Sequence, residues 1–155
     1  MKFISKKSIR IPPPIVTFVF GMSMYALSFV IHWQFIFSFQ EVIVIALILS
    51  GILLLLPAVL QFIQHKTTVN PLNPEKASRL VVSGLFRFSR NPMYLGMALL
   101  LLAWGIYLGN PLNIIIFIGF IAYMNCFQIS LEEKALEALF GEEFSRYKAR
   151  VRRWI

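Results

Sequence analysis

Three stretches of this 155-residue chain carry no Asp, Glu, Lys or Arg: Ile11 to Gln40, Val42 to Gln64 and Asn91 to Leu131. A helix needs about 20 apolar residues to cross the hydrocarbon core of a bilayer, and each stretch is long enough. Only 14% of the residues are charged, against roughly a quarter in soluble domains. A water-soluble globular enzyme, a disordered chain and a fibrous repeat are all excluded. The expected class is an all-α integral membrane protein built as one domain.

The runs divide into four transmembrane helices. The first covers roughly 14–31 and leads into a semi-polar turn around His32, Gln34, Ser38 and Gln40. The second covers roughly 42–63, with Pro57 inside it. The third run is interrupted by Leu108 to Asn113, where Gly109, Asn110 and Pro111 are turn residues. That leaves spans at roughly 92–108 and 113–130, each of about 17 residues, near the lower limit. The apolar run of the first span is too long for a secretory signal and lacks a clear small-residue cleavage site. It is read as an uncleaved span.

All fifteen Lys and Arg residues then fall on one side of the membrane. Four precede the first span, five lie in the 64–91 loop, and six follow the fourth span. The positive-inside rule makes both termini and this loop cytoplasmic. The net charge of +8 is therefore a topology signal, with some attraction to anionic membrane lipid. Nucleic acid is not an expected partner.

Candidate chemistry gathers on the same side. The loop 64–91 is long for so small a protein, and long connections are often functional. One reading makes it a tether with an interfacial segment. Another folds it over a ligand, with Gly84 allowing close backbone approach. Arg90 to Gly96 follows, at the mouth of the third span. Asn91 suits the N-cap and Pro92 the first turn. Such a helix start beside Arg90 can hold a carboxylate or phosphate, or it can be simple capping with a snorkelling arginine. In the fourth span, Asn125, Gln128 and Glu132 are spaced to share a helical face, and a polar stripe in a membrane helix is costly unless it faces a partner or cavity. Glu132 is read as a site residue and Glu133 as a solvated charge.

The tail 131–155 is an amphipathic helix broken at Gly141. Leu136, Leu139, Phe140, Phe144, Tyr147, Val151 and Trp154 form its apolar side, and Glu142 and Arg146 are spaced as an i,i+4 pair. It lies on the membrane surface or folds back over the loop. His32 and His65 fall on opposite sides of the membrane and cannot share a metal. The lone Cys126 excludes a disulfide or thiolate cluster and reads as a packing residue. No metal is expected.

Two blocks of the sequence resemble a known family. LVVSGLFRFSRNPMYLG (80–96) is similar to the LV-x-x-G-x-Y-x-x-x-R-H-P-x-Y-x-G signature of isoprenylcysteine carboxyl methyltransferase-like and phospholipid methyltransferase-like membrane enzymes. LEEKALEALFGEEFSRYKARV (131–151) resembles their second block, E-E-x-x-L-x-x-x-F-G-x-x-Y-x-x-Y-x-x-x-V.

The resemblance implies an S-adenosylmethionine-dependent methyltransferase, with S-adenosylhomocysteine as product. It also implies a pocket closed by the loop and the C-terminal helix at the cytoplasmic face. Cofactor contacts would come from Ser78, Arg79, Leu80, Val81, Phe86, Asn91, Pro92, Met93 and Tyr94. Arg90 could pair with the methionyl carboxylate. Glu132 matches the family's functional glutamate, and Gln128 stands where the prenylcysteine enzymes carry an arginine. Asn91 replaces the usual histidine and Phe86 the usual tyrosine. The acceptor would be lipophilic, entering from the bilayer, in a membrane expected to be a prokaryotic inner membrane. The departures leave an alternative: a non-catalytic scaffold or assembly protein that retains the fold. A nicotinamide-dependent sterol reductase would need extra spans, and a transporter would need a polar path across.

Overall fold

The structure is a computed structural model that describes residues 11–64 and 80–155. Helices are its regular secondary structure, with no strand among the described residues. Helix α1 is Pro13–Val30 and α2 is Gln40–Gln64. A 3₁₀ turn, Gly84–Arg87, precedes α3, Pro92–Tyr107. Helix α4, Asn113–Tyr123, runs into a π-helical stretch, Met124–Ile129. That stretch continues as α5, Ser130–Phe140, and α6 is Glu142–Arg150.

Prolines set two of these boundaries. Pro13 and Pro92 stand in the first turns of α1 and α3, where the missing N–H would lack a partner anyway. Pro57 lies within α2 without ending it. Gly109 and Gly141 have φ of 69° and 50°, left-handed values that close the α3–α4 turn and separate α5 from α6.

Three helices are long and apolar enough to cross a membrane: Pro13–Val30, Gln40–Gln61 and Asn113–Phe140. Helix α3 is apolar but has 16 residues, a length of about 24 Å against a core of about 30 Å. The surface is apolar where a soluble protein would be polar. Phe18, Phe29 and Leu53 are 67%, 70% and 68% exposed. Large apolar surfaces of this kind mark contact with lipid or protein.

Helix α3 is central, touching α1, α2 and α4. It meets α2 with almost no side chain between. A Cβ built on Gly96 would lie 2.8 Å from the Gly51 carbonyl oxygen, and one on Gly51 would lie 3.0 Å from the Gly96 oxygen. One buried cluster joins α1, α3 and α4 through Val16, Met24, Ala98, Leu101 and Phe120. A second, at the basic end, joins Ala58, Val81, Phe86, Phe144 and Tyr147.

At the other end, the turn after α1 is tied to the α3–α4 turn. Phe35 N–H donates to the Gly109 carbonyl at 2.7 Å, and the Asn110 amide donates to the Ile31 carbonyl at 2.8 Å. Cys126 is exposed on the helix surface, so the expected packing role is not observed. The π-helical turn shifts the register there and directs Met124, Gln128 and Ile129 inward instead.

Candidate functional site

The site lies where the start of α3, the π turn, α5 and the C-terminal segment meet. Tyr94, buried one turn into α3, donates its hydroxyl to Glu132 Oε1 at 2.6 Å. Gln128, 3% exposed, donates its amide to the same oxygen at 2.6 Å. Two residues singled out from the sequence, Tyr94 and Gln128, thus converge on the carboxylate of a third, Glu132. Asn125 departs from the expected single stripe. Its side-chain oxygen accepts from the Trp154 indole at 3.1 Å. Widening of the helix at Met124–Ile129 disturbs the 3.6-residue period on which a stripe depends, and π-bulges are often found at functional sites.

Glu133 corrects the sequence expectation. It is buried rather than solvated, at 7% exposure. Arg90 Nη2 donates to its Oε1 at 2.5 Å, and Arg153 Nη2 to its Oε2 at 2.7 Å. Adjacent helical residues point about 100° apart. If Glu132 turns toward Tyr94, Glu133 turns toward the opening of α3 and the tail. Two guanidinium groups compensate its charge there, as a buried carboxylate requires. The same bond holds the Arg153 guanidinium above its ordinary pKa.

The residues at the α3 opening fasten the tail. Arg90 Nη1 donates to the carbonyls of Lys148 and Val151 at 3.0 and 2.8 Å. Its backbone N–H donates to the Arg152 carbonyl at 3.0 Å. The Asn91 amide donates to the Arg153 carbonyl at 3.0 Å, so Asn91 occupies the N-cap position without a capping side-chain bond. Ser89 supplies its hydroxyl oxygen to the Asn91 N–H at 3.1 Å. Pro92 is fully buried, and Met93 packs against both apolar clusters.

The first block also builds the second cluster. Val81 and Phe86 are 8% and 4% exposed, and Leu80 packs beside them. Phe144 and Tyr147 of α6 close over them, and the Tyr147 hydroxyl donates to the Phe86 carbonyl at 2.6 Å. Burial pushes the Tyr147 phenol up to about 12, with the nearby Arg90 charge acting the other way. Of the two expectations for the tail, folding back over the loop is the one realised. Glu142 and Arg146 make no ion pair among the described residues; the pair formed there is Glu137–Lys148, at 3.7 Å. Gly84 has φ 57°, and a Cβ there would lie 2.6 Å from Gln61 side-chain atoms. The close approach expected at Gly84 is made by Gln61, which also donates to Ser83 Oγ at 2.9 Å. Ser78 and Arg79 lie outside the described residues.

Sequence reasoning missed Glu133, Arg153 and Tyr147 as organisers of this end. The paired Glu-Glu of the second block was the available signal for Glu133. Nothing marked Arg153 among six basic residues in the tail.

A family model described as phospholipid methyltransferase matches residues 39–143. The chain belongs to the phospholipid methyltransferase family. Its matched segment runs from the start of α2 into α6 and includes Tyr94, Gln128, Glu132 and Glu133. A Haemophilus influenzae protein described only as uncharacterized is 52% identical over 63 residues, 41% of this chain and all of that protein. The protein-S-isoprenylcysteine O-methyltransferase of Saccharomyces cerevisiae is 36% identical over 72 residues, 46% of this chain and 30% of the yeast protein. No solved structure matches the chain. Family membership and the apolar helices together make it an integral membrane protein of a methyltransferase family.

Proposed function

We propose that the chain transfers a methyl group from S-adenosylmethionine to a lipophilic, membrane-embedded acceptor at the cytoplasmic face. The observation that carries this reading is the Glu132 carboxylate, held by Tyr94 and Gln128 at 2.6 Å each, inside the matched family segment. The residues suit the cofactor. Arg90 Nε is buried and has no hydrogen-bond partner among the described residues, a donor ready for a carboxylate. The start of α3 carries no side-chain cap, which leaves its dipole open to an anionic group.

Bound S-adenosylmethionine would supply an electrophilic methyl group on a sulfonium. The protein's part is placement and exclusion of water. Glu132 offers a fixed negative charge to a cationic centre, and the Tyr94 ring face adds to it. Leu80, Val81, Phe86, Pro92 and Met93 form the apolar wall, with Ser78, Arg79, Arg90 and Asn91 as polar contacts. Gln128 orients Glu132, and because its amide is engaged there and carries no charge, it does not offer a cation to a carboxylate acceptor. In this reading α3 also crosses the membrane, as the third of four spans, α6 closes the pocket, and both termini face the cytoplasm. A bacterial inner membrane fits the Haemophilus relative.

The test is incubation of purified protein with radiolabelled S-adenosylmethionine and a native membrane extract, with the labelled product identified. Saturable cofactor binding by calorimetry is expected. Tyr94→Ala and Glu132→Ala should weaken binding or turnover far more than Glu137→Ala. Absence of saturable binding, or equal effects of all three substitutions, overturns the proposal. Saturable binding without any labelled product would favour the scaffold reading.

A further inference from the structure

The end of the bundle opposite Glu132 holds a cavity of about 580 Å³ between the start of α2 and the end of α3. Gln34, Phe37, Gln40, Glu41 and Tyr107 are on its wall. Tyr94 and Tyr107 are thirteen residues apart on α3, about 20 Å at helical rise. One headgroup cannot occupy both ends.

The cavity is rich in acceptors. Glu41 stands in the first turn of α2 and makes no ion pair among the described residues. No cation from the described residues neutralises it there, since all Lys and Arg flank the other ends of the apolar runs. Gln40 donates its amide to the Ile106 carbonyl at 2.8 Å. That bond fixes the direction of the side chain, and leaves Gln40 Oε1 buried with no partner among the described residues. An unsatisfied buried acceptor is destabilising, and a donor that reaches it relieves that cost. Tyr107, stacked on Trp104 at 5.7 Å, adds an aromatic face suited to a cation. Ile36, Phe39 and Val42 beside the cavity are 75%, 77% and 61% exposed. This apolar rim suits acyl chains.

We propose that this cavity binds the primary ammonium headgroup of an aminophospholipid in the leaflet opposite the methyl-transfer end. The ammonium pairs with Glu41 and donates to Gln40 Oε1. A quaternary ammonium has no N–H to donate, so the site prefers ethanolamine to choline headgroups. The site stands independently of the methyl-transfer reading.

The test uses the full chain in nanodiscs of phosphatidylglycerol doped with equal amounts of ethanolamine and choline lipid, with retained lipid counted by native mass spectrometry. Preferential retention of the ethanolamine lipid is expected. Glu41→Gln should lower that retention about fivefold, the scale of a partly exposed ion pair, while Glu137→Gln at the other end leaves it unchanged. Equal retention of the two lipids, or unchanged retention in Glu41→Gln, overturns the proposal. A second arm titrates soluble ethanolamine against the retained lipid; displacement is expected at concentrations well above that of the lipid. Binding of soluble ethanolamine without enrichment of the lipid overturns the lipid assignment. The melting temperature of Glu41→Gln should match wild type in detergent without ethanolamine lipid, which separates lost binding from lost folding.

Discussion

Replacing Glu133 with Ala should be among the most damaging single changes at the basic end of the molecule. Its carboxylate is 10% exposed and is shared by two arginines with different surroundings. The Arg90 side chain is 9% exposed. Removing its counter-charge leaves a buried guanidinium held only by the carbonyls of Lys148 and Val151. Breaking a buried pair from one side costs about 3–5 kcal/mol. The Arg153 side chain is 39% exposed, so its half of the interaction is worth only about 0–1 kcal/mol. The surviving carbonyl bonds place the total near the lower figure, about 3 kcal/mol. For a chain of this size that is a fall in Tm of about 6–12 °C. Arg153→Ala should cost far less, because the Arg153 carbonyl still accepts from Ser89 and Asn91. Thermal unfolding in detergent, followed by tryptophan fluorescence, checks both. Trp154 sits on the tail that Glu133 helps to hold, so its signal should shift first in Glu133→Ala. A change below about 1 kcal/mol for Glu133→Ala, or equal losses for the two variants, would refute the argument that the buried Arg90 carries the cost.

Gly96→Ala should destabilise by about 1–3 kcal/mol, as overpacking does, because its Cβ would meet the Gly51 backbone at 2.8 Å; a neutral effect in the same melt would contradict the close helix contact. Tyr147→Phe removes a buried hydrogen bond to the Phe86 carbonyl and should cost about 1 kcal/mol. The pH dependence has a definite sign. The folded-state phenol is raised from 10 to about 12, so folding favours the neutral form, and stability held below pH 10 is lost as pH rises toward 12. Wild type should therefore lose more stability between pH 10 and 12 than Tyr147→Phe does, and parallel curves would contradict the assigned burial.

Much of the fold was legible because the bilayer leaves few choices. Charge-free runs of sufficient length placed the apolar helices, and Pro13, Pro92, Gly109 and Gly141 fixed boundaries through their own backbone limits. The carboxylate centre was legible too, since Gln128 and Glu132 are four apart on one helix and Tyr94 lies in a recognisable motif. Glu133 was misread because its partners are 43 and 20 residues away in sequence, and no local pattern announces them. Asn91 was correctly placed at a helix start, yet its side chain serves the tail rather than the cap, because the Arg153 carbonyl comes within reach only after the chain folds back. Cys126 was read as a packing residue from its apolar setting and lack of a partner, and within the π turn it is exposed.

The sequence by itself determined that the chain is a helical membrane protein of this family, with its basic residues confined to the segments before, between and after long charge-free runs. Hydrophobic length and charge asymmetry act locally along a chain, so they can be read without coordinates. Only the tertiary structure decided which charges are buried together, that the tail is fastened to the opening of α3, and that Glu41 and Gln40 face a cavity at the far end. Those outcomes depend on which distant segments meet, and pairing between buried polar groups is settled only when they do.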